Sequence, residues 1–213
     1  FTTLFNLTGM FKKIYWSATS DMEIDEIKQQ VWTSDNFFIA EDLPRKVDKT
    51  QIVKEKESGK LKVVWISRIA PKKNLKQAIQ ILHKVKGDIE FTIYGPKHVT
   101  EYWEECEEEL NKLPSNVKWC WRGNVESENV VKTLKEHHVF LFPTLGENYG
   151  HVIQEALSAG CPVILSDQTP WKDLEENQVG FICRLGEEEK FIEAINSYVY
   201  LDKEKFKKVS NNT

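Results

Sequence analysis

The chain has 213 residues, of which 40% are hydrophobic and 29% are charged. This balance excludes an intrinsically disordered chain and is typical of a globular protein with an apolar core. The formal net charge of -4 gives no sign of a nucleic-acid partner, because domains that bind nucleic acids normally present a basic face.

The sequence carries neither a membrane span nor a secretory signal. No apolar run approaches the roughly 20 residues that a helix needs to cross a bilayer, and no basic region precedes an apolar one at the N-terminus. Cys106, Cys120, Cys161 and Cys183 are far apart and form no C-x-x-C pair, which favours free thiols in a reducing compartment over disulfides or zinc. We therefore expect a cytoplasmic protein without a bound metal. The first residue, Phe1, indicates a trimmed or excised fragment.

The first sixty residues predict a few elements followed by a linker. Ser20 and Glu23 form a capping box, in which the two side chains satisfy backbone amides at the start of a helix. Residues 45–60 are polar and rich in lysine without periodicity, which predicts a linker. We therefore expect a partial domain over residues 1–44, the linker over 45–60 and a complete domain over 61–213. The other elements expected before the linker are a helix at 1–11 and strands at 14–18 and 36–40.

From residue 62 onward, strand and helix patterns alternate. Short apolar runs predict buried strands, and apolar residues spaced by three and four predict amphipathic helices between them. Six such strands separated by helices predict the α/β class, with a doubly wound, parallel, Rossmann-like sheet of six strands. The expected strands are residues 62–67, 89–95, 117–121, 139–143, 163–165 and 180–183. The expected helices are 74–85, 99–113, one capped by Ser127 and running to 136, one after Gly150, 171–177, 187–200 and 203–209.

The most informative segment reads LFPTLGENYGHVIQEALSAGCPVI. An apolar strand leads into a loop that holds Glu147 and ends at Gly150, and a helical pattern with Glu155 on its early turns follows. Strand, loop and helix start in this order form the phosphate-binding corner of an α/β sheet. We expect the amides of Asn148, Tyr149 and Gly150 to face an anion, because a helix start carries partial positive charge. Two carboxylates around this corner indicate a ligand with phosphate and hydroxyl groups, such as a nucleotide-sugar.

Cations follow the first strand of the predicted sheet. Arg68 and Lys73 come soon after that strand, at the edge where parallel sheets bind their ligands, and each can neutralise a phosphate. A tight turn at Arg122 and Gly123 ends the third strand and lets a ligand approach the backbone. We interpret His83 and His98 as surface residues and His137 and His138 as a helix end, and leave open whether His151 lies near the ligand.

With these residues in place, the sequence resembles the retaining glycosyltransferases of family 4, which have the GT-B fold. The resemblance covers roughly residues 62–195 and rests on ISRIAPKKN, IYGP, WRGNV and FPTLGENYGHVIQEALSAGCPVILSD. Glu147 and Glu155 correspond to the E-x7-E motif of the family, which implies that Glu147 contacts the donor sugar and Glu155 the nucleotide ribose. Arg68 and Lys73 correspond to the family's paired cations on the donor diphosphate.

The resemblance also carries expectations about the whole enzyme. It implies retaining transfer of a hexose from a UDP- or GDP-linked donor to a saccharide or lipid-linked acceptor, in polysaccharide or glycolipid biosynthesis. It implies no metal or other cofactor, and it places the turn from Trp121 to Gly123 beside the nucleobase. Because the family's acceptor domain carries a glycine-rich loop that this sequence lacks, we expect an excised donor-binding half with little activity of its own.

Departures from the family pattern leave alternatives open. The common Gly-Gly-x-x-Glu segment reads QTPWKDL here, and the usual Asp before the fourth strand is His138. The same fold serves nucleotide-sugar epimerases and phosphorylases, and a non-catalytic module that binds nucleotide-sugars is a further alternative. The apolar start of the chain, with Lys12 and Lys13, could touch a membrane peripherally or pack against the acceptor domain.

Overall fold

The computed structural model describes residues 2–18, 21–33, 36–40 and 54–213. The chain divides into two compact units, Phe1–Lys46 and Val47–Thr213. The linker predicted over residues 45–60 begins outside the described residues, and its described part, from Lys54, belongs to the second unit.

Where it is described, the first unit contains two helices and a two-stranded parallel sheet, with Trp16 opposite Phe37. The helix predicted over residues 1–11 ends early, because Gly9 adopts a left-handed conformation (φ 65°) and a 3-10 turn, Met10–Lys13, follows. Ser20, the predicted cap, lies outside the described residues. The elements are α1 (Thr2–Leu7), β1 (Trp16–Ala18), α2 (Asp21–Gln30) and β2 (Phe37–Ile39).

The second unit is built on a six-stranded sheet in which every neighbouring pair is parallel. Its strands are β3 (Lys60–Ile66), β4 (Asp88–Tyr94), β5 (Val117–Trp121), β6 (Val139–Phe142), β7 (Val163–Ser166) and β8 (Gly180–Cys183). Its helices are α3 (Leu75–Leu82), α4 (Thr100–Leu110), α5 (Val130–Lys135), α6 (His151–Ser158), α7 (Glu188–Val199) and α8 (Lys203–Asn212). Every residue of β6 and β7 is buried, as expected for central strands covered by helices on both faces.

The strand order β5-β4-β3-β6-β7-β8 places β3 and β6 side by side. The chain runs outward from β3 through β4 to β5, crosses back to β6 and then runs outward in the opposite direction. The helices form two groups, since α3 contacts α4 and α7, whereas α5 contacts α6. The prediction of a doubly wound sheet is therefore confirmed. Ligands of such sheets bind where the direction reverses, beyond the carboxyl ends of the strands, which here means the ends of β3 and β6.

Two predicted helical features are wrong. Residues 171–173 have no regular structure and residues 174–178 form turns, because Asp173 (φ 59°) and Gln178 (φ 56°) adopt the left-handed conformation that L-residues do not sustain in a helix. Ser127 does not cap α5; it opens a 3-10 turn, Ser127–Asn129, at which no side-chain cap bond forms. The other helices and strands predicted for the second unit are present, with boundaries shifted by a few residues.

Two lysines that the sequence assigns to the linker are buried in the second unit. Lys54 Nζ donates to the carbonyls of Leu134 (3.1 Å) and His137 (2.5 Å) at the end of α5. Lys56 Nζ donates to the carbonyl of Val199 (2.9 Å) at the end of α7. Helix C-termini present unpaired carbonyls and negative potential, so ammonium groups are stabilised there. The end of the predicted linker is thus fastened to the second unit.

His138 replaces the family's usual Asp with a buried, neutral ring. Its Nδ1 accepts from the amide of Lys62 (2.9 Å), so its Nε2 donates to the carbonyl of Glu55 (2.8 Å). Burial lowers the pKa of His138 to about 4. His137 Nδ1 lies 2.8 Å from the carbonyl oxygen of Thr133 in the last turn of α5, in agreement with the predicted helix end.

The four cysteines are free, as predicted. Cys106, Cys161 and Cys183 are buried, and burial raises the pKa of the Cys106 thiol to about 11. Within the described ranges, no helix has the length and apolar character that crossing a membrane requires.

Candidate functional site

The loop after β6 holds Glu147 at the switch point of the sheet. The backbone of this loop accepts or donates three hydrogen bonds that join it to the end of β7 and to the loop after β7. Ser166 Oγ donates to the carbonyl of Thr144 (2.6 Å), and the amide of Glu147 donates to the carbonyl of Gln168 (3.1 Å). The third bond runs from Trp171 Nε1 to the carbonyl of Tyr149 (2.7 Å). The segment QTPWKDL, which departs from the family pattern, therefore supports the loop that carries the first Glu of the motif.

Gly150 lets this loop turn directly into α6. It is the N-cap residue of that helix and has a φ of 78°, in the left-handed region. A Cβ at this position would lie 2.7 Å from Ile153 Cδ1 and 3.0 Å from Glu147 Cγ, closer than carbon atoms normally approach. The left-handed backbone therefore favours glycine, and the side chains of Ile153 and Glu147 leave little room for a Cβ.

The helix begins after Gly150, as the sequence predicts, but the three amides expected to face an anion lie before its first turn. Because α6 begins at His151, the amides of Asn148 and Tyr149 belong to the loop before the helix, and the amide of Gly150 lies at its cap. The partial positive charge of a helix start is centred on its first turn, which here begins at His151. Within that turn, the amide of Ile153 donates to the carbonyl of Gly150 (2.8 Å).

The loop after β3 is bonded directly to the loop after β6. Residues Pro71–Lys73 form a 3-10 turn, after which Asn74 adopts a left-handed conformation (φ 56°). In this conformation Asn74 Nδ2 donates to the carbonyl of Pro143 (2.8 Å). The amide of Leu145 donates to the carbonyl of Lys72 (2.9 Å). The two loops at the switch point thus form one connected structure.

This arrangement brings two predicted site residues into contact. Lys73 Nζ lies 2.5 Å from Glu147 Oε2, and the two side chains are only 14% and 18% exposed. The ammonium also lies 5.8 Å from the centre of the Phe142 ring. The sequence predicts separate ligand groups for these residues, and the structure joins them as an ion pair at the base of the candidate site.

A cleft of about 380 Å³ opens beside the ion pair. The predicted site residues Arg68, Lys73, Glu147 and Asn148 line it, together with Lys72. Three of these side chains are cations and one is a carboxylate, so the cleft carries two net positive charges when its histidine is neutral. The full lining consists of Arg68, Ala70, Lys72, Lys73, His98, Gly146, Glu147 and Asn148.

The remaining predicted residues lie at the same edge of the sheet without lining this cleft. Arg122 and Gly123 follow β5, and the amide of Gly95 donates to the carbonyl of Gly123 (2.8 Å). Glu155 lies on the second turn of α6 and is half-buried. Tyr149 O–H donates to Gln154 Oε1 (3.2 Å).

Sequence reasoning missed two polar side chains of the cleft, those of Lys72 and His98. Lys72 comes directly before Lys73, and nothing in the sequence indicates that both lysines line the cleft instead of one. His98, predicted to be a surface residue, is exposed and also lines the cleft. The only local signal for it is its position just after Gly95 and Pro96, at the end of a strand.

Across residues 2–18, 21–33, 36–40 and 54–213, no group of three or more His, Cys, Asp or Glu side chains is placed to hold a metal ion. The absence of a metal from the reaction stays a prediction.

Comparison with known proteins identifies the family. Residues 47–213, which are the residues of the second unit, match the family described as Glycosyl transferases group 1. The chain belongs to this family. The predicted site residues, from Arg68 to Glu155, all lie within the range of this glycosyltransferase domain.

Individual glycosyltransferases are more distant. The sulfoquinovosyl transferase SQD2 of Arabidopsis thaliana is 24% identical over 149 residues, which are 68% of this chain and 28% of that protein. The structure of Anabaena Alr3699/HepE in complex with UDP and glucose is similar with a TM-score of 0.73 at 17% identity, over 99% of this chain and 59% of that one. The lipopolysaccharide outer core galactosyltransferase WaaB gives a TM-score of 0.67 at 19% identity, over 92% and 56% of the two chains.

These structural likenesses show the fold, which is that of GT-B glycosyltransferases. The chain spans 28% of the curated relative and 56% to 59% of the two solved proteins.

Proposed function

We propose that this chain is the donor-binding half of a retaining, family 4 glycosyltransferase that transfers a hexose from a nucleotide-sugar. The observation that carries this proposal is the cationic cleft at the switch point, which Arg68, Lys72 and Lys73 line together with Glu147. Phosphate groups are bound by such clusters of Arg and Lys, and hydroxyl groups by carboxylates.

The charge of the cleft supports a donor with a neutral sugar. The two phosphates of a nucleoside diphosphate sugar carry one negative charge each, which balances the two net positive charges of the cleft. An acidic sugar would bring another negative charge close to Glu147. A neutral hexose avoids this repulsion and can donate hydrogen bonds from its hydroxyl groups to the carboxylate.

The proposed roles of the residues combine their places in the fold with what the resemblance to family 4 implies. Arg68, Lys73 and the start of α6 would bind the diphosphate and stabilise the charge that develops on it as the glycosidic bond breaks. Glu147 would orient the sugar, and Glu155, further along α6, would bind the ribose. The turn at Arg122 and Gly123 would flank the base, which we propose to be uracil or guanine.

One structural relative supports a neutral hexose, because Alr3699/HepE has been solved with UDP-glucose and with UDP and glucose. The curated relative is named a sulfoquinovosyl transferase, after a sulfonated and hence anionic sugar, so it supports a sugar donor but not a neutral one. By extension, the whole protein would act in polysaccharide or glycolipid biosynthesis, on a saccharide or lipid-linked acceptor. We propose that it works in the cytoplasm, in contact with the membrane surface if the acceptor is a lipid, and without a metal.

Thermal unfolding with and without UDP, GDP, UDP-glucose and GDP-mannose tests the proposal. A ligand at about 100 times its dissociation constant adds about 2.7 kcal/mol of stability, which raises the Tm of a domain of this size by about 5–10 °C. We expect a shift of this order with one pair of nucleotide and nucleotide-sugar, and a much smaller one with the other pair.

Matched variants localise the binding. Lys73→Met and Glu155→Ala should abolish most of the shift, whereas Lys84→Met and Glu188→Ala, an exposed ion pair outside the cleft, should leave it unchanged. The proposal fails if no nucleotide raises the Tm, or if Glu155→Ala and Lys73→Met both retain the full shift.

A further inference from the structure

The loop between β4 and α4 is held against the loop that follows β3. Ile69 and Lys97 form a parallel β-bridge. The amide of Ile69 donates to the carbonyl of Pro96 (2.9 Å), and the amide of Val99 donates to the carbonyl of Ile69 (3.3 Å). His98 stands between Lys97 and Val99, two residues whose backbones are fixed by these contacts.

Lys97 anchors the same loop a second time. Its Nζ lies 4.2 Å from the ring centres of both Trp103 and Trp121. An ammonium group between two indole faces is attracted to both of them. The Trp121 indole also donates to the carbonyl of Gly95 (3.0 Å), where the loop begins. The charge of Lys97 is thus engaged by aromatic rings, and the loop is fastened to α4 and to the end of β5.

This placement presents His98 to a positively charged cleft. Because Lys73 and Glu147 pair with each other, the excess charge that His98 faces is that of Arg68 and Lys72. A dianion bound between these cations would attract a protonated imidazole that reaches it from the same cleft. The charged groups around His98 are Arg68, Lys72 and Lys73 after β3, Glu147 after β6, and Lys97 and Glu101 on its own loop and helix.

We propose that His98 is a further ligand of the donor diphosphate and that it binds the donor in its protonated form. The inference rests on the proposed function, since it names an additional residue of the same donor site. Donor and proton then favour each other's binding, and by reciprocity the affinity for the donor rises as the pH falls. Histidine is the residue type whose charge ordinarily changes between pH 5 and 8, so the effect falls in an accessible range.

Calorimetric titration of the chain with UDP-glucose and GDP-mannose at pH 5.5, 6.5 and 8.0 tests this. Nucleotide-sugars are the correct probes because both of their phosphates are esterified, whereas the terminal phosphate of free UDP or GDP takes up a proton near pH 6. We expect about tenfold tighter binding at pH 5.5 than at pH 8.0, and a difference below about twofold for His98→Asn.

Two other histidine variants make the test specific. His83→Asn, at the end of α3, should retain the full pH dependence. His151→Asn, at the start of α6, should also retain the full pH dependence. Loss of the pH dependence in this variant would overturn the assignment to His98. Retention of the pH dependence in His98→Asn would overturn it too.

The failure of this inference can be distinguished from the failure of the proposed function. Equal affinity for the nucleotide-sugar at all three pH values would overturn the role of His98 while the proposed function stands. Absence of binding at every pH would overturn both. Should His98→Asn fold poorly, NMR titration of the wild-type imidazole decides. The donor must make His98 keep its proton to higher pH, and an unchanged titration contradicts the proposal.

Discussion

Lys73 and Glu147 form one ion pair, but removing the charge of Glu147 should destabilise the second unit more than removing that of Lys73. The paired atoms are 2.5 Å apart and the side chains of the pair are 14% and 18% exposed. This places it between exposed pairs, worth about 0.2–1 kcal/mol, and fully buried pairs, whose disruption costs about 3–5 kcal/mol. The surroundings break the symmetry, because Arg68 and Lys72 line the same cleft. Glu147→Gln leaves three cations without a carboxylate, whereas Lys73→Met leaves Glu147 with two cations nearby.

The expected costs follow from this difference. Glu147→Gln should lower the free energy of unfolding by about 2–3 kcal/mol, and Lys73→Met by about 1 kcal/mol. The double variant should cost less than the sum, with a coupling energy of about 1 kcal/mol. The first change corresponds to a decrease in Tm of about 4–12 °C.

Urea unfolding of the four proteins, followed by tryptophan fluorescence, measures this cycle. Repeating it at high salt should shrink the coupling energy, because the pair is partly exposed and mobile ions screen it. Equal costs for the two single variants, with a coupling energy below about 0.3 kcal/mol, would refute the reasoning.

The same two variants should separate the two halves of the donor. Lys73→Met should weaken binding of UDP or GDP and of the matching nucleotide-sugar alike, because both carry the diphosphate. Glu147→Gln should weaken only the nucleotide-sugar, and bind the free nucleotide as tightly as the wild type or more tightly, because it removes a negative charge from the cleft. Calorimetry with the nucleotide and its sugar conjugate distinguishes these patterns. Parallel losses in both variants would contradict the separate roles.

Three further predictions concern stability. Gly150→Ala should lower the Tm by more than Gly123→Ala, since both have φ near 80° but only the first Cβ meets a neighbour, Ile153 Cδ1 at 2.7 Å. As the pH falls from 7 to 4.5, the free energy of unfolding should decrease by about 2–3 kcal/mol through His138, because its folded pKa of about 4 is below the ordinary value and the unfolded chain takes up the proton first. Urea unfolding at several pH values should show a weaker dependence of stability on pH for His138→Gln than for the wild type. Lys56→Met should lower the free energy of unfolding by about 2 kcal/mol, because it leaves carbonyls at the end of α7 without a donor. The control Lys203→Met, at an exposed lysine, should change it little.

The sheet and the corner at Glu147 could be predicted from the sequence because their signals are local. A strand buried on both faces is mostly apolar, as β6 is throughout and β7 is up to its last residue, Ser166, and this pattern is visible without any knowledge of neighbours. The glycine between strand and helix is equally local, because the left-handed conformation of Gly150 is a property of the backbone at that residue.

The rest depends on contacts that join distant segments. His98 lines the cleft because Ile69 bridges to Lys97, and nothing around His98 in the sequence encodes this. Lys54 and Lys56 lie in a segment that resembles a linker, and they are buried only because helix ends supply carbonyls for them.

The segment around Trp171 fails as a helix for a similar reason. Its apolar and acidic residues fit a helical pattern, but its role is to reach back to the loop of Glu147. Trp171 Nε1 bonds the carbonyl of Tyr149, and the turn at Asp173 makes this possible by breaking the helical path. A tertiary contact thus overrides the local propensity.

Amide NMR of the chain during titration with UDP-glucose and GDP-mannose tests the central claim most directly. We predict that one of the two ligands binds saturably and shifts mainly the amide signals of Arg68, Lys73 and Gly150. The first two residues line the cationic cleft, and Gly150 ends the loop that carries Glu147. The account would be contradicted if neither ligand shifted these amides. It would also be contradicted if the shifts clustered instead around the separate hollow of about 650 Å³ beside Leu157 and Asn212.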